Sequence, residues 1–185
     1  VVLKSQRLTL RDFREDDFEA VHAYATDLEV VRYMSWGPNS EVETREFLDR
    51  VHTQAVKDPR MVFELAVVNA DSGGLIGGIG LHADGTQAML GYCFARSAWG
   101  QGFATEAASR MARFGFESLG VHRIWAHCDS ENAASIRVLE KLGMRREGCL
   151  RHECQIRGSW RDTLVFAILE DEWRATHEPG PSPEE

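Results

Sequence analysis

Apolar and polar positions alternate with period two over residues 7–13, RLTLRDF, which predicts a strand. Helical spacing follows in EDDFEAVHAYA, 15–25, with acids in its first turn where the helix dipole favours them. SEVETREFLDRVHTQAV, 40–56, opens on Ser40 and Glu43, the spacing of a capping box, and carries Phe47, Leu48 and Val51 as an apolar stripe. Three strands are predicted next, over 61–70, 75–83 and 87–96, joined by the turns Asp71–Gly74 and Asp84–Gly85, so they form an antiparallel meander. A helix over 103–119 places Ala104, Ala107, Ala108, Met111, Phe114 and Gly115 on one face. RIWAHC, 123–128, reads as a strand. NAASIRVLEKLG, 132–143, reads as a helix stopped by a C-cap at Gly143. RREGCLRHECQIR and WRDTLVFAIL close the chain as a long hairpin around Gly158.

A strand, a helical crossover and another strand imply one parallel pair inside a mostly antiparallel sheet. The expected fold class is therefore α+β, with a mixed sheet packed by helices. The length of 185 residues suits one domain, over 1–173. The tail 174–185 ends in HEPGPSPEE, has little to pack, and is expected to be disordered.

Charge and composition narrow the chemistry. The formal net charge of -8 argues against nucleic-acid binding, which calls for a basic face. Cys93, Cys128, Cys149 and Cys154 form no CxxC pair and read as reduced core thiols of a cytoplasmic protein. The seven histidines show no ligand spacing, so no metal is expected. No apolar run approaches the ~18 residues of a membrane helix, and the first residues lack a signal-peptide pattern.

The stretch SAWGQGFATEAASR, 97–110, carries the candidate chemistry. It lacks the P-loop pattern, and Thr105 stands where a dinucleotide fingerprint needs its third glycine. Gly100 and Gly102 permit a turn without side chains, after which the first amides of a helix point outward with no partner. Such a helix start suits an anion the size of a pyrophosphate. A plain tight turn between strand and helix satisfies the same glycines.

Trp99-Gly-Gln-Gly102-Phe-Ala104 resembles the acetyl-CoA motif of the GCN5-related N-acetyltransferases, whose loop amides hold the cofactor's pyrophosphate. Tryptophan at the first position, the continuation ATEA, NAASIRVLEKLGM at 132–144 and EGCLRHECQIRGSWRDTLVFAIL at 147–169 are similar to the branch of ribosomal-protein N-terminal acetyltransferases, the RimJ/RimL type. The resemblance implies a parallel strand pair that splays to admit the pantetheine arm, with helices on both faces of the sheet. It implies acetyl-CoA as co-substrate and an amine acceptor, either a protein N-terminus or a small amine. An oxyanion donor is expected among main-chain amides near Cys93 or Phe94, where the family has a bulge, and Gly91 permits one. The cofactor-binding set it implies is Phe94, Arg96, Trp99, Gly100, Gln101, Gly102, Phe103, Ala104, Asn132, Ser135, Arg137 and Lys141.

Ser135 is the implied proton donor to the leaving thiolate, and Glu153 the implied base, with Glu64 or a water relay as alternatives. Two positions depart from the wider family: Met89 replaces an acid, and Leu139 replaces the usual tyrosine. These departures keep open a second reading, a CoA-binding sensor with weak turnover. The acceptor is expected between the early helices and the closing hairpin, with Tyr33, Trp36 and Trp160 as walls. The exposed strand edges leave monomer and homodimer both open.

Overall fold

The alternating segments assemble into one eight-stranded sheet, seen in a computed structural model that describes residues 1–177. Its strands are β1 (Val2–Lys4), β2 (Leu8–Asp12), β3 (Val62–Asn69), β4 (Leu75–Asp84), β5 (Gln87–Phe94), β6 (Arg123–Asp129), β7 (Arg145–Ile156) and β8 (Ser159–Leu169), in the order β1-β2-β3-β4-β5-β6-β8-β7. Neighbours run antiparallel except β5 and β6, the parallel pair that the crossover requires. The helices are α1 (Phe18–Ala25), α2 (Glu41–Ala55), α3 (Phe103–Phe114), α4 (Ala133–Lys141) and α5 (Glu170–His177).

The strand period of two sorts side chains onto two faces. On one, Phe63, Leu65, Leu81, Leu90 and Phe166 pack with Ala107, Ala108 and Met111 of α3 and Leu139 of α4. On the other, Ala66 joins Phe13 and the apolar sides of α1 and α2, including Val21, Tyr24, Leu48 and Val51. Helices thus cover both faces, as expected. The capping box of α2 is present: Ser40 Oγ accepts from Glu43 N at 3.3 Å, and the Glu43 carboxylate accepts from Ser40 N at 2.7 Å. Gly143, at φ +79°, ends α4 as predicted.

Several details differ from the sequence pattern. The helix predicted over 103–119 is α-helical only to Phe114 and then widens into a π-turn, Gly115–Leu119. A Cβ on Gly115 would lie 2.9 Å from Ile124 Cδ1, so this turn sits tightly on β6. No register shift interrupts β5 against β4, from Asp84↔Gln87 to Gly77↔Phe94. The irregularity falls instead between β3 and β4, where the register slips at Val67/Val68. Only Cys128 is a core thiol: Cys93 and Cys154 are half-buried, and Cys149 is exposed on β7, the strand at the sheet's edge. Helix α5 runs to His177, past the boundary expected at residue 173; the rest of the tail lies outside the described residues.

Candidate functional site

The parallel ladder between β5 and β6 is short. It consists of Gln87↔Arg123, Ala88↔Ile124 and Met89↔Trp125. Beyond Met89 the two strands separate, and Leu90–Phe94 pairs with β4 alone while Ala126–Asp129 pairs with β8 alone. Strand-edge N–H and C=O groups on both sides of this split are left for another partner.

The glycine loop stands at the open end of the split. Gly100 and Gly102 have φ of +73° and +80°, a region that side chains disfavour. Gly102 is the N-cap of α3 and supplies no side-chain cap. Among the described residues, the amides of Gly100 to Thr105 donate to no acceptor; the first helical bond is Glu106 N to Gly102 O at 3.0 Å. The loop is held from outside. Trp99, half-exposed, donates from Nε1 to Phe94 O at 2.9 Å, and Gln101 Nε2 donates to Ser97 O at 2.7 Å. Phe94 and Phe103 are buried beneath it.

Arg7, which the sequence pattern showed only as part of a strand, is the main clamp. Its Nη1 donates to Gln101 O at 3.0 Å, its Nε to Glu106 Oε2 at 2.7 Å, and its guanidinium lies 4.5 Å over the Phe103 ring. Glu106 also accepts from Arg7 N and from Ser5 Oγ, both at 2.8 Å. Burial would raise the Glu106 carboxyl, but these hydrogen bonds outweigh it and hold it below the ordinary range.

On the far side of the split, Asn132 caps α4 by accepting from Ser135 N at 3.1 Å. Ser135 Oγ lies 2.9 Å from the hydroxyl of Tyr92, which reaches over from β5. Burial pushes the Tyr92 phenol well up despite this hydrogen bond, and lifts the nearby Cys128 thiol to about 11. Leu139 is buried in the core. Tyr92 thus brings a phenol to this helix even though Leu139 offers none; only the three-dimensional pairing reveals it.

The opposite face of the sheet holds a second polar group. Glu64 on β3, Gly80 on β4 and Gly91 on β5 lie directly across from one another. The Glu64 carboxylate lies over Gly80, where a Cβ would sit 2.7 Å from both its oxygens, and Oε1 meets His82 Nε2 at 2.5 Å. That hydrogen bond raises the His82 pKa above its usual 6.5, against the effect of burial. A Cβ on Gly91 would meet nothing within 4 Å.

The remaining sequence candidates are more scattered. Glu153 sits in the irregular stretch of β7 between Leu150 and Cys154 and accepts from Thr163 Oγ1 at 3.0 Å, with β8 between it and β6. Arg96 pairs with Asp27 at 3.1 Å. Arg137 and Lys141 are exposed on α4, with no ion-pair partner among the described residues. Tyr33 helps line a cleft of about 160 Å³ with Glu131, Arg157 and Arg161, whereas Trp36 is outside it and Trp160 stacks on His152 at 6.2 Å.

A sheet split beside an uncapped, glycine-opened helix offers unpaired strand edges and helix-start amides, chemistry suited to an extended ligand with an anionic end. The family model described as acetyltransferase (GNAT) domain matches residues 7–145, and the chain belongs to this family of acetyltransferases, which use acetyl-CoA. Over 175 residues it is 34% identical to the uncharacterized N-acetyltransferase YnaD of Bacillus subtilis, covering 92% of this chain and 98% of that one. The spermidine N(1)-acetyltransferase of Escherichia coli is 28% identical over 92% of this chain and 91% of its own. A GNAT-family acetyltransferase from Bacillus anthracis superposes with a TM-score of 0.83 at 33% identity, over 92% of this chain and 99% of that one. RimJ of Mycobacterium smegmatis, solved with CoA-disulfide, shares the fold at a TM-score of 0.81 and 24% identity, over 93% and 88% of the chains.

Proposed function

We propose that this acetyltransferase moves the acetyl group of acetyl-CoA directly onto a primary amine. The observation that carries this reading is the run of unpartnered amides from Gly100 to Thr105 at the head of α3, beside a strand that has lost its parallel neighbour. Those amides and the positive end of the helix suit the cofactor's diphosphate. The separated edges of β5 and β6 suit the amide-rich pantetheine arm, aiming the thioester into the sheet. Asn132 caps α4 beside that path, and Arg137 and Lys141 offer charge to the cofactor's remaining phosphate.

In the reaction, the amine attacks the thioester carbonyl, the C–N bond forms, and the C–S bond breaks to release a thiolate. Ser135 gives that thiolate its proton, and Tyr92, 2.9 Å from Ser135 Oγ, replenishes it. This hydroxyl pair favours turnover over a purely sensing role, because the leaving group has a donor although Leu139 provides none. Glu153 engages Thr163 and stands beyond β8, so the base is sought elsewhere.

The acceptor is a cationic amine. A net charge of -8 favours one by long-range attraction, and a 28% identical relative is named for spermidine. The test is thiol release from acetyl-CoA against a panel holding spermidine, spermine and peptides with free N-termini. Amine-dependent release, with the acetyl group found on nitrogen by mass spectrometry, is the expected result. Tight acetyl-CoA binding with no release above hydrolysis across the panel would leave the sensor reading in its place.

A further inference from the structure

We infer that Glu64, oriented by His82, is the group that takes the proton from the acceptor amine, and that the amine enters across the glycines Gly80 and Gly91 from the α1/α2 face. This rests on the acetyl-transfer reading above. Three observations support it independently of that reading's phosphate loop.

The first is alignment. Glu64, Gly80 and Gly91 occupy one cross-strand row, and Gly91 is two residues beyond Met89, the last residue of the parallel ladder. The row therefore leads straight to the closed end of the split. Strands lie about 4.8 Å apart, which puts the backbones of Glu64 and Gly91 roughly 10 Å from each other. The carboxylate already leans over the middle strand, leaving about one strand spacing to cross, room for an amine nitrogen or one water.

The second is the floor. Side chains at positions 80 and 91 would fill this trench, and both are glycine. A Cβ at 80 would displace the carboxylate, and one at 91 would stand in open space beside the split. Met89 and Trp125 flank the trench at its closed end.

The third is handedness of access. Tyr92 and Ser135 serve the split from the α3/α4 face, since Tyr92 packs with that core, whereas Cys93 packs with the other. Glu64 shares its face with Ala66, opposite Phe63 and Leu65. Base and acid thus flank a thioester in the split from opposite faces of the sheet, so the group that serves the amine and the group that serves the thiolate do not compete for one position. Of the other titratable groups on the Glu64 side, burial keeps Tyr24 of α1 protonated and lifts Cys93 of β5 to about 12. Neither competes as base at neutral pH. His127 of β6 stands beyond the split next to Trp125, with ring centroids 5.8 Å apart.

The protons balance. An ammonium acceptor gives one proton to Glu64, which passes it to solvent through His82. The nitrogen attacks, and as the C–S bond breaks it loses a second proton to solvent. The thiolate gains one from Ser135 and Tyr92, and that hydroxyl pair takes one back from solvent. One acetyl-CoA and one ammonium become one amide, one thiol and one released proton. Glu64 touches the acceptor and is catalytic; His82 acts through Glu64 and is a positioning residue.

The experiment measures acetyl-CoA binding by calorimetry and kcat/KM against pH, using the amine that the wild type acetylates fastest. Glu64→Gln should lower kcat about 100-fold, with acetyl-CoA affinity unchanged. Its rate should rise only as the amine itself deprotonates, near pH 8 for an α-amine or about 10.4 for an alkyl ammonium. Gly80→Ala, which displaces the carboxylate by a methyl group alone, should reproduce the loss. His82→Gln should lower kcat less and shift the acid limb of the profile. If the wild type binds and turns over acetyl-CoA while Glu64→Gln and Gly80→Ala keep its rate and pH profile, the assignment of the base is overturned alone. If the wild type does not bind acetyl-CoA, the transferase reading falls and takes this one with it.

Discussion

Arg7 shows how much a single side chain can organise: it touches the Gln101 carbonyl, the Glu106 carboxylate and the Phe103 ring, so one guanidinium fixes both the loop and the first turn behind it. Its pair with Glu106 is part-exposed, so the stability it adds is modest, about 1 kcal/mol. Its larger effect is on preorganisation. Arg7→Ala should therefore weaken acetyl-CoA binding several-fold in calorimetry while kcat at saturating cofactor stays near wild type. Gly102→Val is a harsher change, because φ is +80° there and a β-branched residue resists that conformation. Acetyl-CoA binding should be lost in the same assay while the far-ultraviolet spectrum keeps its folded form. Ser135→Ala should do the reverse, lowering kcat and leaving cofactor affinity intact; a wild-type kcat would remove its role as donor.

At the scale of elements, α3 joins core to loop. Ala107, Ala108 and Met111 are fully buried, and the two alanines let the helix lie close on the sheet. Met111→Ala should cost about 2–5 kcal/mol, read as a lower urea midpoint. This helix was legible because its apolar positions repeat at helical spacing and two glycines precede it. The capping box of α2 was legible for the same kind of reason, since Ser40 and Glu43 act locally. What depends on register was not. Nothing in the linear pattern puts Gly80 beneath the Glu64 carboxylate, or Tyr92 beside Ser135, because each pair meets only after distant segments align. The π-turn at Gly115–Leu119 escaped too: Gly115 there packs closely on Ile124 and Leu81, neighbours that only the folded sheet supplies. Cys149 was misread as core because strand spacing does not say which strand ends up at the edge.

For the whole molecule, buried ion pairs set the dependence of stability on acidity. Burial alone would raise the carboxyls of Asp17 and Asp129, yet hydrogen bonds from Arg11 and Arg161 outweigh it and hold both below their ordinary 3.8. Glu106 is likewise held below 4.5. Groups lowered in the folded state contribute fully above those ordinary values and lose their contribution as pH falls through the folded ones. His82 has the opposite sign: raised by Glu64, its contribution is present below 6.5 and fades as pH climbs through its higher folded value. Urea midpoints should therefore fall steeply on acidification below about pH 4, and Asp129→Asn should flatten that slope. The three-rung ladder between β5 and β6 has a different consequence. Across the sheet, it is the only strand pairing among the described residues that joins the first five strands to the last three, reinforced by helix packing and by contacts such as those of Arg157 with Val31 O and Gly37 O. A cofactor arm bonded to both loosened edges would act as a rivet, so loading with acetyl-CoA should slow amide hydrogen exchange at Leu90–Phe94 and Ala126–Asp129 together, as though two leaves of a book had been pinned.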